Sequence, residues 1–430
     1  MEIEDLAIFP RCLRPKQLPL LHTSEMSFST SVFADLCAKY TTWSSLKDFL
    51  TSEDGGKLRI VEDPSTPGYA IVRYTKGVSN FAKDHVRAFR SVVWNTETNR
   101  PVSVAPFKAE KGEPPVDLNY RVSDFVDGIM IQGWREVGKV PRMATRTSMD
   151  AKGSFYSKRS FADLFGDCFQ GEGGVKGFLS ANLREGQFVS FVLQHKEHRL
   201  VAPIAANRVY VTYVGQVSEG GVVSMTCVPS EWSTPFVPFA PQVYAETKSF
   251  QHSGDAEAFL RRQNSVYTWQ GMVFQELGTA RRWRIRNPNY TKVRSLRGSE
   301  ATQEARFIRL RATGQMKDYL RYFREESNDL WNLETKFRER TQALYDCYVQ
   351  MHKLKTKGMR DFPYTLRPHV YALHGKYLAS LPAASSPSGA AAPISIQKQT
   401  VVDYVNALSQ EDQVKILVGD HGGSPPAPVS

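Results

Sequence analysis

The residue types best suited to chemistry gather in one short stretch. Residues 281–310, RRWRIRNPNYTKVRSLRGSEATQEARFIRL, hold nine Arg or Lys against two Glu, a net charge of +7 within a chain whose total is +11. Trp283, Tyr290 and Phe307 are interleaved with the cations. Arginine grips phosphate through a planar fork of donors, and aromatic faces stack on bases. The pattern predicts contact with a polyanion, nucleic acid foremost, with a solvated or ion-paired face as the plainer alternative. Arg284 and Arg286 flank Ile285, so on a strand both cations share one face and Ile285 takes the other. Arg281, Arg282, Lys292, Arg294 and Arg297 extend the expected nucleic-acid surface.

A second stretch, VSDFVDGIMI (122–131), runs as an apolar strand into Asp127-Gly128 and out into another apolar strand. Other patterns are poorer. His195 and His198 in HKEH would face opposite sides of a strand, and a turn with surface histidines is expected. GEGGVKG and GGVVS read as turns, and no phosphate loop, nucleophile elbow or dinucleotide fingerprint occurs. The five cysteines (12, 37, 168, 227, 347) are odd in number and scattered, which predicts free thiols and no metal site. No apolar run reaches the length of a membrane span, and the opening MEIEDLAIFPRC does not read as a leader, so secretion is not expected.

Six segments taken in order resemble the collinear motifs of ATP-dependent RNA ligases, within the covalent nucleotidyltransferase superfamily. RSVVWNTETNRPVSVAPFKAEK (90–111) is similar to the strand pair before the ligase nucleophile, with Arg90 and Lys108 at positions typical of that family. SDFVDGIMI is similar to motif I, and ATRTSMDAKGSF (144–155) to the strand and turn after it. FVSFVLQHKEHRLV, WQGMVF and RWRIRNPNY stand where motifs III, IV and V should be. The whole chain, including DFPYTLRPHVYALH and TVVDYVNAL, is also similar to ligase-like proteins of large DNA viruses.

The resemblance implies a lysine in motif I that attacks the α-phosphate of ATP, and here Phe125 fills that place before Asp127 and Gly128. A phenyl ring cannot form a phosphoramidate. Motif III implies a carboxylate, yet Ser190-Phe191-Val192-Leu193 has none and Glu197 lies beyond, in an expected turn. Motif IV implies Glu-Gly, and here it is Gln270-Gly271, a poorer ligand for a hard cation. Glu276 follows that strand and need not point inward. Motif V implies lysines on the α-phosphate, and Arg284 and Arg286 take their place, able still to hold a phosphate. The remnant nucleotide pocket is therefore expected from Arg90, Lys108, Phe125, Asp127, Gly128, Gln270, Gly271, Arg284 and Arg286, with no catalytic residue and no metal ligand. Lys108, Lys111, Lys139 and Lys152 are the lysines that could stand in for the missing one.

These residues need elements to position them. Period-2 patterns predict strands at GYAIVRY, SVVWNTETNRPVSVAP (a hairpin turning at Thr98-Asn99), QFVSFVLQH, HRLVAPI, RVYVTYVG and GVVSMTCV. Helical patterns occupy SVFADLCAKYTTWSSLKDFLTS, 158–168, 255–263, 303–357 and 369–381. The expected fold is α+β: a nucleotidyltransferase core of antiparallel sheets with flanking helices, then a helical C-terminal domain. The expected divisions are an N-terminal extension 1–80, a core 81–300, a helical domain 301–381, a linker 382–399, a tethered helix 400–418 and a tail 419–430. The tethered helix suits docking on a partner or on the body itself.

The expected function is that of a degenerate RNA-ligase-like protein that has lost lysine adenylylation and serves as a nucleic-acid-binding or architectural viral protein. Its partners would be nucleic acid, RNA in preference to DNA, or other viral proteins, in the host cytoplasm or the virus particle. No cofactor is expected; ATP and Mg enter only if ligase activity survives through a relocated nucleophile. A purely structural role in the particle is the third reading.

Overall fold

The structure is a computed structural model that describes residues 27–115, 118–156, 159–169, 173–227, 243–245, 254–262, 266–381 and 394–420. Residues 421–430 of the expected tail, most of the expected linker and Cys12 lie outside the described residues. Two compact units divide the chain, Met1–Pro288 and Asn289–Ser430. The division falls twelve residues before the boundary expected at 300, and within the first unit residues from 27–80 pack into one core with those that follow.

Among its described residues the first unit holds three sheets. A six-stranded antiparallel sheet runs in the order Ser27–Thr30, Val223–Cys227, Arg208–Val217, Gln187–Gln194, Ile129–Trp134, Arg142–Thr145. A four-stranded antiparallel sheet runs Arg59–Glu62, Tyr69–Arg73, Val92–Asn95, Arg100–Val104. A five-stranded sheet runs Val243–Ala245, Tyr120–Asp124, Gly271–Glu276, Arg282–Arg286, Glu110–Lys111, with only the last pair parallel. The chain is α+β with antiparallel sheets, as the alternating patterns predict.

Alternation along the strands decides what each sheet face buries. Phe188 and Trp134 of the six-stranded sheet point into a core shared with Trp94, Val92 and Val104 of the four-stranded sheet. Across that interface Gln132 accepts from Ser103 at 3.0 Å and donates to Ser91 at 2.8 Å, so the buried amide is satisfied on both sides. The opposite face carries Ile131, Val189 and Phe191 against Leu164, Phe165, Phe178 and Leu179. Those residues come from the helices Phe161–Gly166 and Gly174–Asn182. The second helix replaces the turn expected at GEGGVKG: Gly173 caps it in a left-handed conformation, and the glycines precede the apolar face. HRLVAPI is not a strand; Val201 is buried there, and its N–H turns to the Asp127 carboxylate instead of a ladder.

The second unit is helical: Gln303–Ala312, Met316–Tyr322, Ser327–Tyr348, Arg367–Ala379, Lys398–Asn406 and Gln410–Val418. The single helix expected over 400–418 is two, the second capped by Ser409, whose hydroxyl accepts from the Asp412 N–H at 3.1 Å. Both fold back onto Ser327–Tyr348, burying Val401, Val405, Ile416 and Leu417, and Asp420 accepts from the N–H groups of Tyr364 and Thr365. At the centre of this unit Glu326 meets Arg297, Arg306 (2.8 Å) and the Tyr319 hydroxyl (2.7 Å). No helix among the described residues is long and apolar enough to cross a membrane.

Candidate phosphate-binding site

The stretch that opens at Val122 carries the chain from one sheet to another. Tyr120–Asp124 lies in the five-stranded sheet, Ile129–Trp134 in the six-stranded sheet, and Phe125 to Gly128 make the crossing. Close approach governs its far end. A Cβ on Gly128 would stand 2.4 Å from the Leu193 carbonyl oxygen and 2.7 Å from Val192 Cγ1, so only glycine fits. Asp127 is buried, and its carboxylate accepts from the backbone N–H groups of Val201 (3.3 Å) and Ala202 (3.4 Å). Asp127 and Gly128 therefore serve the crossing itself.

Phe125 is half-buried at the near end, and its N–H donates to the Gly271 carbonyl at 2.9 Å. With its amide nitrogen turned inward, Gln270 donates to the carbonyls of Phe125 and Val126, each at 3.2 Å. A carboxylate at position 270 has no hydrogen to donate there, so the missing acid has a positive structural reason. Gly271 has φ +129°, and a Cβ would meet the Ile285 carbonyl at 2.1 Å.

The strand Arg282–Arg286 pairs with Gly271–Glu276 and alternates as its sequence predicts. Trp283 and Ile285 enter the core with Val122, Met272 and Phe274, leaving Arg282, Arg284 and Arg286 on the other face. There the guanidinium carbons of Arg284 and Arg286 stand 5.8 and 5.2 Å from the centre of the Phe125 ring. The place where an amine was expected thus holds an aromatic ring under two cations.

More cations converge. Arg90 lies beside Arg282, Arg146 and Arg284; burial lowers its pKa first, and these charges lower it further. Burial also lowers Arg284, followed by the Arg286 charge. The Lys76 ammonium is lowered by burial, then by Arg284, Arg286, Arg146 and Lys111. Lys108 is lowered by burial and then by Arg87 and Arg284, and its amine sits 4.3 Å from the Phe81 ring centre. Among the described residues Lys76, Arg90, Arg284 and Arg286 make no side-chain hydrogen bond or ion pair, and no carboxylate is among the leading electrostatic neighbours of Lys76, Arg90 or Arg284. The part of these shifts that comes from neighbouring like charges is repulsion that an arriving anion would relieve. Magnesium does not fit, because hard cations take oxygen ligands and the converging groups are guanidinium, ammonium, phenyl and amide.

Several expected residues stand elsewhere. Arg281 stacks on Trp283 at 4.9 Å, 3.6 Å from Glu276, while Arg282 donates to the Phe107 carbonyl at 3.1 Å. Lys292, Arg294 and Arg297 belong to the second unit. Lys292 is exposed, and Arg294 bonds the Gly298 carbonyl. Arg297 is buried against Glu326, which leaves it no surface to offer nucleic acid. Lys139 joins Tyr69 and Glu136, and Lys152 joins Ser65 and Asp150, both apart from Phe125. His195 and His198 are buried, not at the surface. His195 lies 3.1 Å from Asp167 and close to Glu197, but Arg159 pairs with both acids at 2.9 Å, so this is an ion-pair cluster. Cys37, Cys168, Cys227 and Cys347 are free thiols. Reading the sequence missed Lys76 and Arg146. Arg146 stands in the Thr-Arg of a segment singled out for its resemblance, whereas Lys76 follows a strand with no local signal.

Neither protein-family models nor curated proteins match this chain. Among solved structures it is similar to a candidate ATP-dependent DNA ligase from Aquifex aeolicus, at 13% identity over 69% of this chain and 80% of that one, with a TM-score of 0.34.

Proposed function

We propose that this chain keeps the shell of a ligase-like nucleotidyltransferase domain and uses it to bind nucleic acid through phosphate, RNA before DNA, without forming a lysyl-nucleotide. The observation that carries the reading is the placement of Arg284 and Arg286 over Phe125. Two arginines suited to phosphate stand where the reactive amine is gone, beside Lys76 and Arg90, which like them make no ion pair among the described residues. The motif resemblance supplies the choice of RNA, and a viral setting is part of the same proposal.

Two measurements test it. Incubation with α-labelled ATP and Mg²⁺ or Mn²⁺ should leave no label after denaturing electrophoresis. A label that survives and maps to a lysine, Lys76, Lys108 and Lys111 being nearest the cluster, would establish a relocated nucleophile. Single-stranded RNA should bind with strong salt dependence, and Arg284→Gln with Arg286→Gln should lower the log–log salt slope by about 1.4, or ~0.7 for each phosphate that is no longer neutralised. Absence of RNA binding by the wild-type protein would favour the particle-component reading instead.

A further inference from the structure

The cations continue past the sheet crossing. Arg146 donates to the Arg90 carbonyl through Nε at 3.0 Å and to the Tyr74 carbonyl through Nη2 at 2.8 Å, and its guanidinium lies 4.6 Å from the Tyr74 ring centre. The residue before Tyr74 is Arg73, the last of the strand Tyr69–Arg73. Directly across from it, on the neighbouring strand, stands Arg59. Like charges in directly opposed cross-strand positions destabilise a sheet. Neither arginine has a side-chain hydrogen bond or ion pair among the described residues, and Arg73 Nε is buried without a partner. Burial, then Arg146 and Arg59, bring the Arg73 guanidinium down to about 10. Other arginines of this unit do meet an acid: Arg142 has Asp150 and Arg159 has Asp167. Arg59 and Arg73 stand out because nothing among the described residues relieves their repulsion.

We propose that Arg59 and Arg73 continue the track that begins at Arg284 and Arg286, so that a single nucleic-acid strand runs from the sheet crossing past Arg90 and Arg146 onto the four-stranded sheet. This rests on the phosphate-binding reading and adds its direction and extent. A mononucleotide needs one cluster of cations; a row that passes from one sheet to another suits a repeating anion. Tyr74 is buried beneath Arg146, and the half-buried Phe81 carries the Lys108 amine 4.3 Å from its ring centre, so cations and not stacked bases define the track.

The test uses the full chain, wild type and Arg59→Gln/Arg73→Gln, with single-stranded RNA of about 4 and about 16 nucleotides, the range of lengths that single-strand grooves accept. Anisotropy across a salt series should show the longer strand losing affinity in the variant, with a slope smaller by about 1.4 for two phosphates. The 5′-phosphorylated short strand, held at Arg284 and Arg286, should bind both proteins alike. Arg59→Lys/Arg73→Lys should keep most of the wild-type slope, since charge and not geometry sets it. Equal slopes for wild type and the Gln variant on the longer strand overturn the track while leaving the phosphate-binding reading intact. Failure of wild type to bind either strand overturns both. Competition by polyglutamate as effective as the longer strand overturns the nucleic-acid assignment. The Gln variant should melt no lower than wild type, because it removes a repulsion; a lower melting temperature would make the arginine pair structural and refute the proposal.

Discussion

Replacing Glu326 by Gln isolates what the basic run contributes to stability as opposed to binding. Glu326 is mostly buried and takes hydrogen bonds from Arg297, Arg306 and Tyr319. Arg297 and Arg306 are themselves buried. The substitution keeps the shape and an acceptor for Tyr319 but removes the carboxylate that two buried guanidinium groups share. Breaking a buried pair from one side destabilises by about 3–5 kcal/mol, and two cations here share one acid, so the upper part of that range is expected. Because the chain divides into two compact units, the assay is native-state hydrogen exchange read by segment. The helix Ser327–Tyr348 should lose ~4 kcal/mol of protection, while the strand Gln187–Gln194 keeps its own. Acid gives a second readout. Burial alone would raise the Glu326 pKa, and Arg297 and Arg306 overcome this to lower it. A lowered folded-state pKa stabilises above the ordinary glutamate value of about 4.3, and that contribution is lost as pH falls through the lower folded value. Wild type and variant should therefore converge in stability below that value. A loss under ~1 kcal/mol, or an equal loss in both segments, would refute the account of Arg297 and Arg306 as structural cations.

Gln270→Ala removes both hydrogen bonds to the Phe125 and Val126 carbonyls, and equilibrium unfolding should show about 2 kcal/mol of destabilisation at ~1 kcal/mol per bond. Gly128→Ala forces a Cβ to 2.4 Å from the Leu193 oxygen, so the two strands must separate locally; a loss of about 1–3 kcal/mol is expected, and a neutral result would mean the crossing is loosely held. Removing residues 394–430 strips Val401, Val405, Ile416 and Leu417 from the second unit, and its melting should become broad while the first unit's transition stays in place, measured by calorimetry.

What could be read in advance follows the range of the interactions involved. The alternation of Arg282, Arg284 and Arg286 with Trp283 and Ile285 is a period-2 signal and needs no tertiary information. The loss of the amine at Phe125 is a matter of residue type. Gln270 looked like a defective ligand in sequence because its real partners, two carbonyls on the crossing, are brought to it only by the pairing of distant strands. Arg297 looked like surface because Glu326, which buries it, lies 29 residues further on. HRLVAPI has the apolar content of a strand, but Asp127, 74 residues earlier, captures the N–H of Val201. Glycines hid the helix Gly174–Asn182, since they read as turn residues when one of them is a left-handed cap.

The strand Ser27–Thr30 pairs with Val223–Cys227, and Ser27 bonds Thr226 across a separation of 199 residues. During synthesis the first of these strands emerges long before its partner exists. Its ladder groups must wait in water, or find a wrong partner, until nearly the whole first unit has left the ribosome. Pairings this distant in sequence also slow folding, because a large loop must close before any of its hydrogen bonds can form. A nascent chain halted anywhere before Val223 therefore presents an unfinished sheet, and chaperone demand should peak over that interval.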